Sequence, residues 1–131
     1  FGVRRMANIL LAEDDDSMRD FLAKALKRAG HEVTSCADGD EGLSVFEANK
    51  DAFDLLLTDI VMPGIDGPSW VAQALKDRPD VHVVFVSGYA EETFGDAQKA
   101  IPNSVFLPKP FSLTELTETV QRQMAETAGP A

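Results

Sequence analysis

The sequence predicts a doubly wound α/β domain, in which five parallel strands are covered by helices on both faces. Short, continuous apolar runs occur at residues 7–12, 53–58 and 81–87, which is typical of strands that are buried on both sides. Segments with apolar residues at helical spacing stand between them. A strand–helix alternation repeated five times favours right-handed crossovers and a parallel sheet. In such sheets, ligands bind beyond the carboxyl ends of the strands.

The first half of the chain supplies two strands and two helices. The first strand is followed by a helix whose apolar residues recur at helical spacing from Met18 onwards, and Gly30 is a typical end for it. The next predicted strand alternates polar and apolar residues over 31–36. After the turn-forming stretch ADGD, Leu43 and Phe46 mark a short second helix.

The second half continues the alternation. The third strand leads into the turn MPGIDG and then into a helix that carries Trp70. After the fourth strand, residues 89–101 have a weak apolar pattern interrupted by Gly95, so we expect only a short helix there. A very short fifth strand at 105–107 precedes the capping box SLTE, which begins at Ser112 and opens the last helix.

Length and composition narrow the classes of function. The 131 residues suit one domain, which we expect to span 7–125, with 1–6 and 126–131 as flexible or non-native tails. The formal net charge of −10 disfavours direct binding to nucleic acid. No apolar run approaches membrane-spanning length. The single Cys36, without zinc-like Cys/His spacing, fits a cytoplasmic setting.

Polar residues follow four of the predicted strands at the edge where ligands are expected. Glu13 and Asp14 come after the first strand, Asp59 after the third, Ser87 after the fourth and Lys109 after the fifth. Carboxylates that converge repel one another unless a cation is present, and oxygen ligands favour Mg²⁺. A lysine supplies a point charge for a phosphoryl oxygen. The set favours a site that holds a phosphoryl group on Asp59.

Each of these residues also has a purely structural interpretation. Taken alone, Asp59 could cap the turn that follows it, and Ser87 could be an ordinary hydroxyl at a strand end. The run EDDD could be only a helix cap, which suits Asp16 and in part Asp15. The combination of Asp59 with acidic residues and a lysine at one edge favours the chemical interpretation.

Four other residues are predicted to take no part in this chemistry. We expect His31 and His82 to be exposed or to cap helices, because neither has a ligand partner at useful spacing. We interpret Cys36 and Trp70 as packing residues.

Four segments carry a resemblance to a known family. LLAEDD, LLLTDIVMPGIDG, VVFVSGYA and FLPKPF occur in the order and spacing of CheY-like response regulator receiver domains from bacterial two-component systems. The resemblance implies a flavodoxin-like three-layer sandwich with strand order 2-1-3-4-5. It also implies that Asp59 is the phosphoacceptor and that Mg²⁺ is held by Asp14, by Glu13 through water, by Asp59 and by the carbonyl of Val61.

The same resemblance implies a switch. Ser87 and Lys109 would bind the phosphoryl group, and Phe106 would rotate when Ser87 moves inward, although Phe106 could equally be a permanent core residue. Val61 and Tyr89 occupy the positions that face the phosphoryl group, and their apolar and aromatic character predicts a long phosphoryl lifetime. The Lys109–Pro110 bond is expected to be cis.

The resemblance also implies the partners. A histidine kinase or a histidine phosphotransferase would donate the phosphoryl group, and a downstream protein would bind the face formed by the fourth helix, fifth strand and last helix. We expect a signalling domain rather than an enzyme. A stand-alone regulator is favoured by the segment starting at Met6, and a receiver excised from a hybrid histidine kinase of a cell-cycle phosphorelay is the alternative.

Two other classes of protein share parts of this pattern. Haloacid-dehalogenase-like phosphatases also place an aspartate after a strand and use Mg²⁺, but they carry D-x-D-x-[TV] after the first strand, whereas the candidate aspartate here follows the third, in TDIVMP. A flavin- or nucleotide-binding domain would need a glycine-rich phosphate loop after the first strand, where this chain has AEDDD. Neither pattern is present, which leaves the receiver as the preferred hypothesis.

Overall fold

The computed structural model describes residues 6–88, 95, 99 and 101–127. Its strands are β1 (Asn8–Ala12), β2 (Glu32–Cys36), β3 (Leu55–Asp59), β4 (His82–Ser87) and β5 (Ser104–Pro108), and its helices are α1 (Asp16–Arg28), α2 (Gly39–Ala48), α3 (Gly67–Asp77) and α4 (Leu113–Thr127). Neighbouring strands are all parallel, and their order is β2-β1-β3-β4-β5. The doubly wound fold and the predicted strand order are therefore confirmed.

The predicted elements agree closely with the observed ones. Most of the helix expected at 89–101 lies outside the described residues. Gly95 and Lys99 are described, and both are helical. The capping box at the start of α4 is present, because Ser112 and Glu115 each accept a hydrogen bond from the other's main-chain N–H. The peptide bond before Pro110 is cis, as expected. In the described part of the chain, no helix has the length and apolarity needed to cross a membrane.

Aspartates begin the first three helices at the carboxyl edge of the sheet. The carboxylates of Asp15, Asp38 and Asp66 each accept a hydrogen bond from the main-chain N–H three residues further on. Such caps satisfy donors that the helix leaves unpaired. Asp15 is thus the N-cap of α1, whereas Asp16 is its first helical residue.

Helices α1 and α4 cover one face of the sheet. A buried apolar cluster lies between them and the strands, and it includes Ile9, Leu26, Leu57 and Val120. Alternate strand residues point to opposite faces, which explains why Leu57 lies on this side and Leu56 on the other. This face supplies hydrophobic stability.

Helices α2 and α3 cover the opposite face. Phe46 from α2 and Trp70 and Val71 from α3 are fully buried there against Leu56 and its strand neighbours. Trp70 fits closely against α2, since a Cβ on Gly39 would lie 2.9 Å from the indole. The packing role predicted for Trp70 is confirmed.

The interior corrects one expectation and confirms another. His31 is only 4% exposed, and its Nδ1 accepts a hydrogen bond from the Ala7 N–H at 3.0 Å, so the expectation of an exposed or capping residue is wrong. The hydrogen bond at Nδ1 compensates for the burial of the ring. Cys36 is buried as expected, and burial raises the pKa of its thiol to about 12.

Candidate functional site

Asp59 is the last residue of a strand that is buried along its whole length. Every residue from Leu55 to Asp59 is buried, and Asp59 itself is 6% exposed. After it, Gly64 adopts a φ of 79°, which suits glycine, and the chain turns back into α3. The strand therefore places a carboxylate at the carboxyl edge of the sheet, next to the ends of β1 and β4.

Two more carboxylates come to this edge from the loop after β1. Glu13 is 1% exposed, whereas Asp14 is exposed. One oxygen from each of Glu13, Asp14 and Asp59 lies within 4.8 Å of the other two. The convergence expected from the strand ends is observed, and these three residues form what we call the acidic cluster.

Lys109 connects two members of the acidic cluster. Its Nζ lies 2.8 Å from Asp59 Oδ2 and 3.1 Å from Glu13 Oε1. Its main-chain N–H donates to the carbonyl of Ser87 at 2.8 Å, which fixes the lysine against the end of β4. Lys109 is thus fixed at both ends, because its main chain bonds to β4 and its ammonium group bonds to two carboxylates.

The other oxygen of Asp59 is left without a partner. Oδ1 is buried and accepts no hydrogen bond within the described residues. A buried carboxylate oxygen without a donor is costly, and the cost is removed when a cation binds to it. With two further carboxylates within 4.8 Å, the donor set suits a hard divalent cation such as Mg²⁺.

Burial and charge shift two pKa values at the site. The pKa of the Glu13 carboxyl is raised, mainly by burial and also by the negative charge of Asp59, against the hydrogen bond from Asp15. For Lys109, burial is the largest effect and opposes the charged form. The hydrogen bonds to Asp59 and Glu13 outweigh it, so the pKa of the ammonium group is raised.

The main chain of Asp59 is held in place by contacts with Thr58 and helix α3. The Thr58 hydroxyl donates to the Asp59 carbonyl at 2.9 Å and accepts a hydrogen bond from the Trp70 indole N–H at 3.1 Å. A Cβ on Gly67 would lie 2.2 Å from the same carbonyl oxygen, so only glycine fits there. These contacts were not predicted from the sequence, in which Trp70 indicated only packing and Thr58 had no expected role.

Arg19 on α1 supports the loop that carries Glu13 and Asp14. One guanidinium nitrogen donates to the Glu13 carbonyl at 2.9 Å, and the other pairs with Asp16. This role of Arg19 was not predicted from the sequence either. The signal for it was a basic residue three positions after the acidic run, on the helix that the run begins.

The remaining predicted residues surround this centre. Ser87 ends β4 and is 1% exposed, and Val61 is 43% exposed two residues after Asp59. Phe106 is half-buried and packs against the cluster between the sheet and helices α2 and α3. Tyr89 lies outside the described residues.

Comparison with known proteins gives a consistent result. A family model for the response regulator receiver domain matches residues 9–121. The response regulator receiver protein CpdR of Brucella abortus (strain 2308) is 40% identical over 120 residues, which cover 91% of this chain and 98% of CpdR. The sensor kinase CckA of the same strain is 40% identical over 118 residues, or 90% of this chain and 12% of the kinase.

A solved structure shows the same likeness in three dimensions. The crystal structure of the receiver domain from the hybrid histidine kinase CckA superposes with a TM-score of 0.76 at 38% identity. The superposition covers 89% of this chain and 98% of that domain. The chain therefore covers nearly all of CpdR and only one part of the kinase.

Proposed function

The chain belongs to the response regulator receiver domain family, and on that premise we propose that Asp59 accepts a phosphoryl group from a phosphohistidine in a two-component phosphorelay. One observation carries the proposal. Lys109 holds Oδ2 of Asp59 at 2.8 Å, while Oδ1 is buried beside Glu13 and Asp14 without a hydrogen-bond partner. One carboxylate therefore has a fixed oxygen and an oxygen poised for a metal or a phosphoryl group.

The chemistry follows from these positions. A carboxylate oxygen of Asp59 attacks phosphorus, the P–N bond to the donor imidazole breaks, and an aspartyl phosphate forms. Lys109 neutralises charge on the transferred oxygens. Glu13, Asp14, Asp59 and the Val61 carbonyl would hold Mg²⁺, which supplies further neutralisation of that charge.

The proposed switch uses β4, which is next to β3, and β5 at the edge of the sheet. Ser87 would donate its hydroxyl to the new phosphoryl group, and Phe106 would turn into the space that Ser87 leaves. Two contacts support this proposal: Ser87 pairs in register with Pro108 on β5, and the main chain of Lys109 bonds to the Ser87 carbonyl. A downstream protein would read the change on the face that includes β5 and α4.

Val61 is proposed to lengthen the lifetime of the aspartyl phosphate. Its side chain lies two residues after Asp59 and is 43% exposed, where an apolar group hinders an attacking water. Val61→Asn should therefore accelerate loss of the phosphoryl group, and so should Tyr89→Glu at the other predicted position. Unchanged dephosphorylation rates in both variants would refute this role.

We propose a stand-alone regulator, supplied by a histidine kinase or a histidine phosphotransferase, that acts as a signalling domain rather than as an enzyme. The near-complete coverage of CpdR supports the stand-alone form, and the match to CckA supports the alternative of a receiver within a hybrid kinase. The full reading frame distinguishes them. A cytoplasmic location follows from this proposal.

The test is labelling by acetyl phosphate in the presence and absence of Mg²⁺, followed by intact-protein mass spectrometry. Wild type should gain one phosphoryl group in a Mg²⁺-dependent manner, and Asp59→Asn should gain none. The matched control is Asp51→Asn, which changes an exposed aspartate in the turn before β3 begins, at the opposite end of the strand from Asp59. This variant should label normally. Mg²⁺-dependent labelling of Asp59→Asn would overturn the assignment, and sustained turnover of acetyl phosphate would favour a phosphatase.

A further inference from the structure

Trp70 is connected to the phosphoacceptor strand by a buried chain of hydrogen bonds. The indole Nε1–H donates to Thr58 Oγ1 at 3.1 Å, and Thr58 Oγ1–H donates to the Asp59 carbonyl at 2.9 Å. Trp70 and Thr58 are both 0% exposed, so water does not compete for either bond. The chain runs from the first turn of α3 to the residue that carries the reactive carboxylate.

The direction of this chain is fixed by chemistry. An indole nitrogen can only donate, so the Thr58 oxygen must act as the acceptor in the first bond. The hydroxyl proton is then directed towards the Asp59 carbonyl, which is the acceptor at 2.9 Å. Without Trp70, the hydroxyl could rotate and its proton would lose this preferred direction.

Helix α3 also contacts the same carbonyl by direct packing. A Cβ on Gly67 would lie 2.2 Å from the Asp59 oxygen, and the Gly67 N–H donates to the Ile60 carbonyl at 2.8 Å. The main chain of Asp59 is thus held between its own strand and α3. Because the carboxylate is attached to that main chain, a shift there moves Oδ1 and Oδ2 relative to Lys109.

We propose that Trp70, acting through Thr58, is a positioning residue that holds Asp59 in the geometry needed for phosphoryl transfer. This inference rests on the proposed function, since it concerns the efficiency of the same reaction. Small displacements of reacting groups slow reactions strongly, so the effect should appear in the rate of phosphorylation. Neither residue touches the phosphoryl group, and neither is a catalytic residue.

The first test removes the hydroxyl while keeping the shape. Thr58→Val should slow phosphorylation by acetyl phosphate at saturating Mg²⁺ by about tenfold. Thr58→Ser restores the hydroxyl and should label within about twofold of the wild-type rate. The matched control is Ile9→Val, a loss of one methylene group in the cluster on the other face of the sheet, which should leave the rate unchanged.

The second test asks whether Trp70 acts through Thr58. Trp70→Phe keeps an aromatic ring and removes the N–H, and it should slow phosphorylation by less than Thr58→Val does. The double variant should be no slower than Thr58→Val alone, since the indole has no hydroxyl left to direct. Multiplied effects in the double variant would contradict this route, whatever each single variant does.

The outcomes separate this inference from the proposed function. If wild type and Ile9→Val label on Asp59 while folded Thr58→Val labels equally fast, the positioning role is refuted and the phosphoacceptor stands. If wild type itself does not label, the proposed function fails. Thermal melts identify any variant that does not fold, and if Thr58→Val is one, a wild-type rate in folded Trp70→Phe refutes the role by itself.

Discussion

The interior of the sheet and its carboxyl edge are built on opposite principles. An apolar cluster lies between the sheet and helices α1 and α4, and residues such as Leu26 and Leu57 are fully buried in it. At the edge, the carboxylates of Glu13 and Asp59 are buried, and each lies within hydrogen-bond distance of the half-buried Lys109. The interior is stabilised by the removal of apolar surface from water. The edge instead keeps charged side chains away from water, which costs desolvation free energy.

This difference implies that substitutions in the two regions can change stability and chemistry separately. Substitutions in the apolar cluster should change the free energy of unfolding and leave the chemistry of Asp59 intact. Substitutions at the edge should change chemistry and the response to pH. Residues that join the two regions, such as Gly67 and Thr58, should change both.

The largest effect on stability is expected from Leu26→Ala, in the apolar cluster. Loss of a fully buried leucine should lower the free energy of unfolding by about 2–5 kcal/mol, because transfer energy is lost and a cavity remains. The rate of phosphorylation, measured well below the melting temperature, should match that of wild type. A slower rate in the folded variant would show that interior and edge are not independent. Urea denaturation and labelling kinetics provide the two measurements.

Gly67→Ala should affect both regions. A Cβ there would lie 2.2 Å from the Asp59 carbonyl oxygen, so the backbone must shift, at a cost of about 1–3 kcal/mol. Gly95→Ala is the matched control, because a Cβ on that helical glycine meets no described residue within 4 Å and alanine favours helix. Denaturation curves and labelling rates should both separate the two variants, and equal stabilities would contradict the close approach.

Lys109→Met should lower the free energy of unfolding by about 2 kcal/mol at neutral pH, since it leaves Glu13 and Asp59 unpaired. Added Mg²⁺ should restore part of this loss by neutralising the same carboxylates. In Lys24→Met, an exposed pair with Asp20 is lost, and the cost should be below about 0.5 kcal/mol. Thermal melts with and without Mg²⁺ measure the stability of both variants. Equal losses of stability in Lys109→Met and Lys24→Met would refute the claim that Lys109 neutralises buried carboxylates.

The smallest effect concerns pH. The pKa of Glu13 is raised above 4.5, so the folded protein binds its proton more tightly than the unfolded chain does. The resulting stabilisation is present below the ordinary pKa and is lost as pH rises through the raised value. The raised pKa of Lys109 lies above its ordinary 10.5 and contributes no change in this range.

As pH rises from the ordinary pKa of 4.5 through the raised pKa of Glu13, the Glu13→Gln variant should therefore gain stability relative to wild type in the absence of Mg²⁺. Urea denaturation at several pH values measures the difference. A difference that stays constant, or that moves in favour of wild type, would contradict the raised pKa.

Much of the fold could be predicted because its signals are local. The apolar runs of β1, β3 and β4 and the capping box of α4 each depend on a few adjacent residues, and all appear where the sequence places them. His31 was predicted wrongly because its burial depends on a partner 24 positions away in sequence. Periodicity does not report such a contact.

The site was predictable only in part, for the same reason. Parallel strands bring their carboxyl ends to one edge, so the convergence of Glu13, Asp14, Asp59 and Lys109 follows from topology. The bond between Trp70 and Thr58 depends on the rotamers of two buried side chains. A sequence pattern identifies an apolar face but gives no information on where an indole N–H points.

The most direct test of the account is a crystal structure of the protein with Mg²⁺ and beryllofluoride, which mimics a phosphoryl group. The account predicts beryllofluoride bound to a carboxylate oxygen of Asp59 and in contact with Lys109, with Mg²⁺ bound between Glu13, Asp14 and Asp59. Beryllofluoride or Mg²⁺ bound elsewhere, with Asp59 still paired only to Lys109, would contradict it.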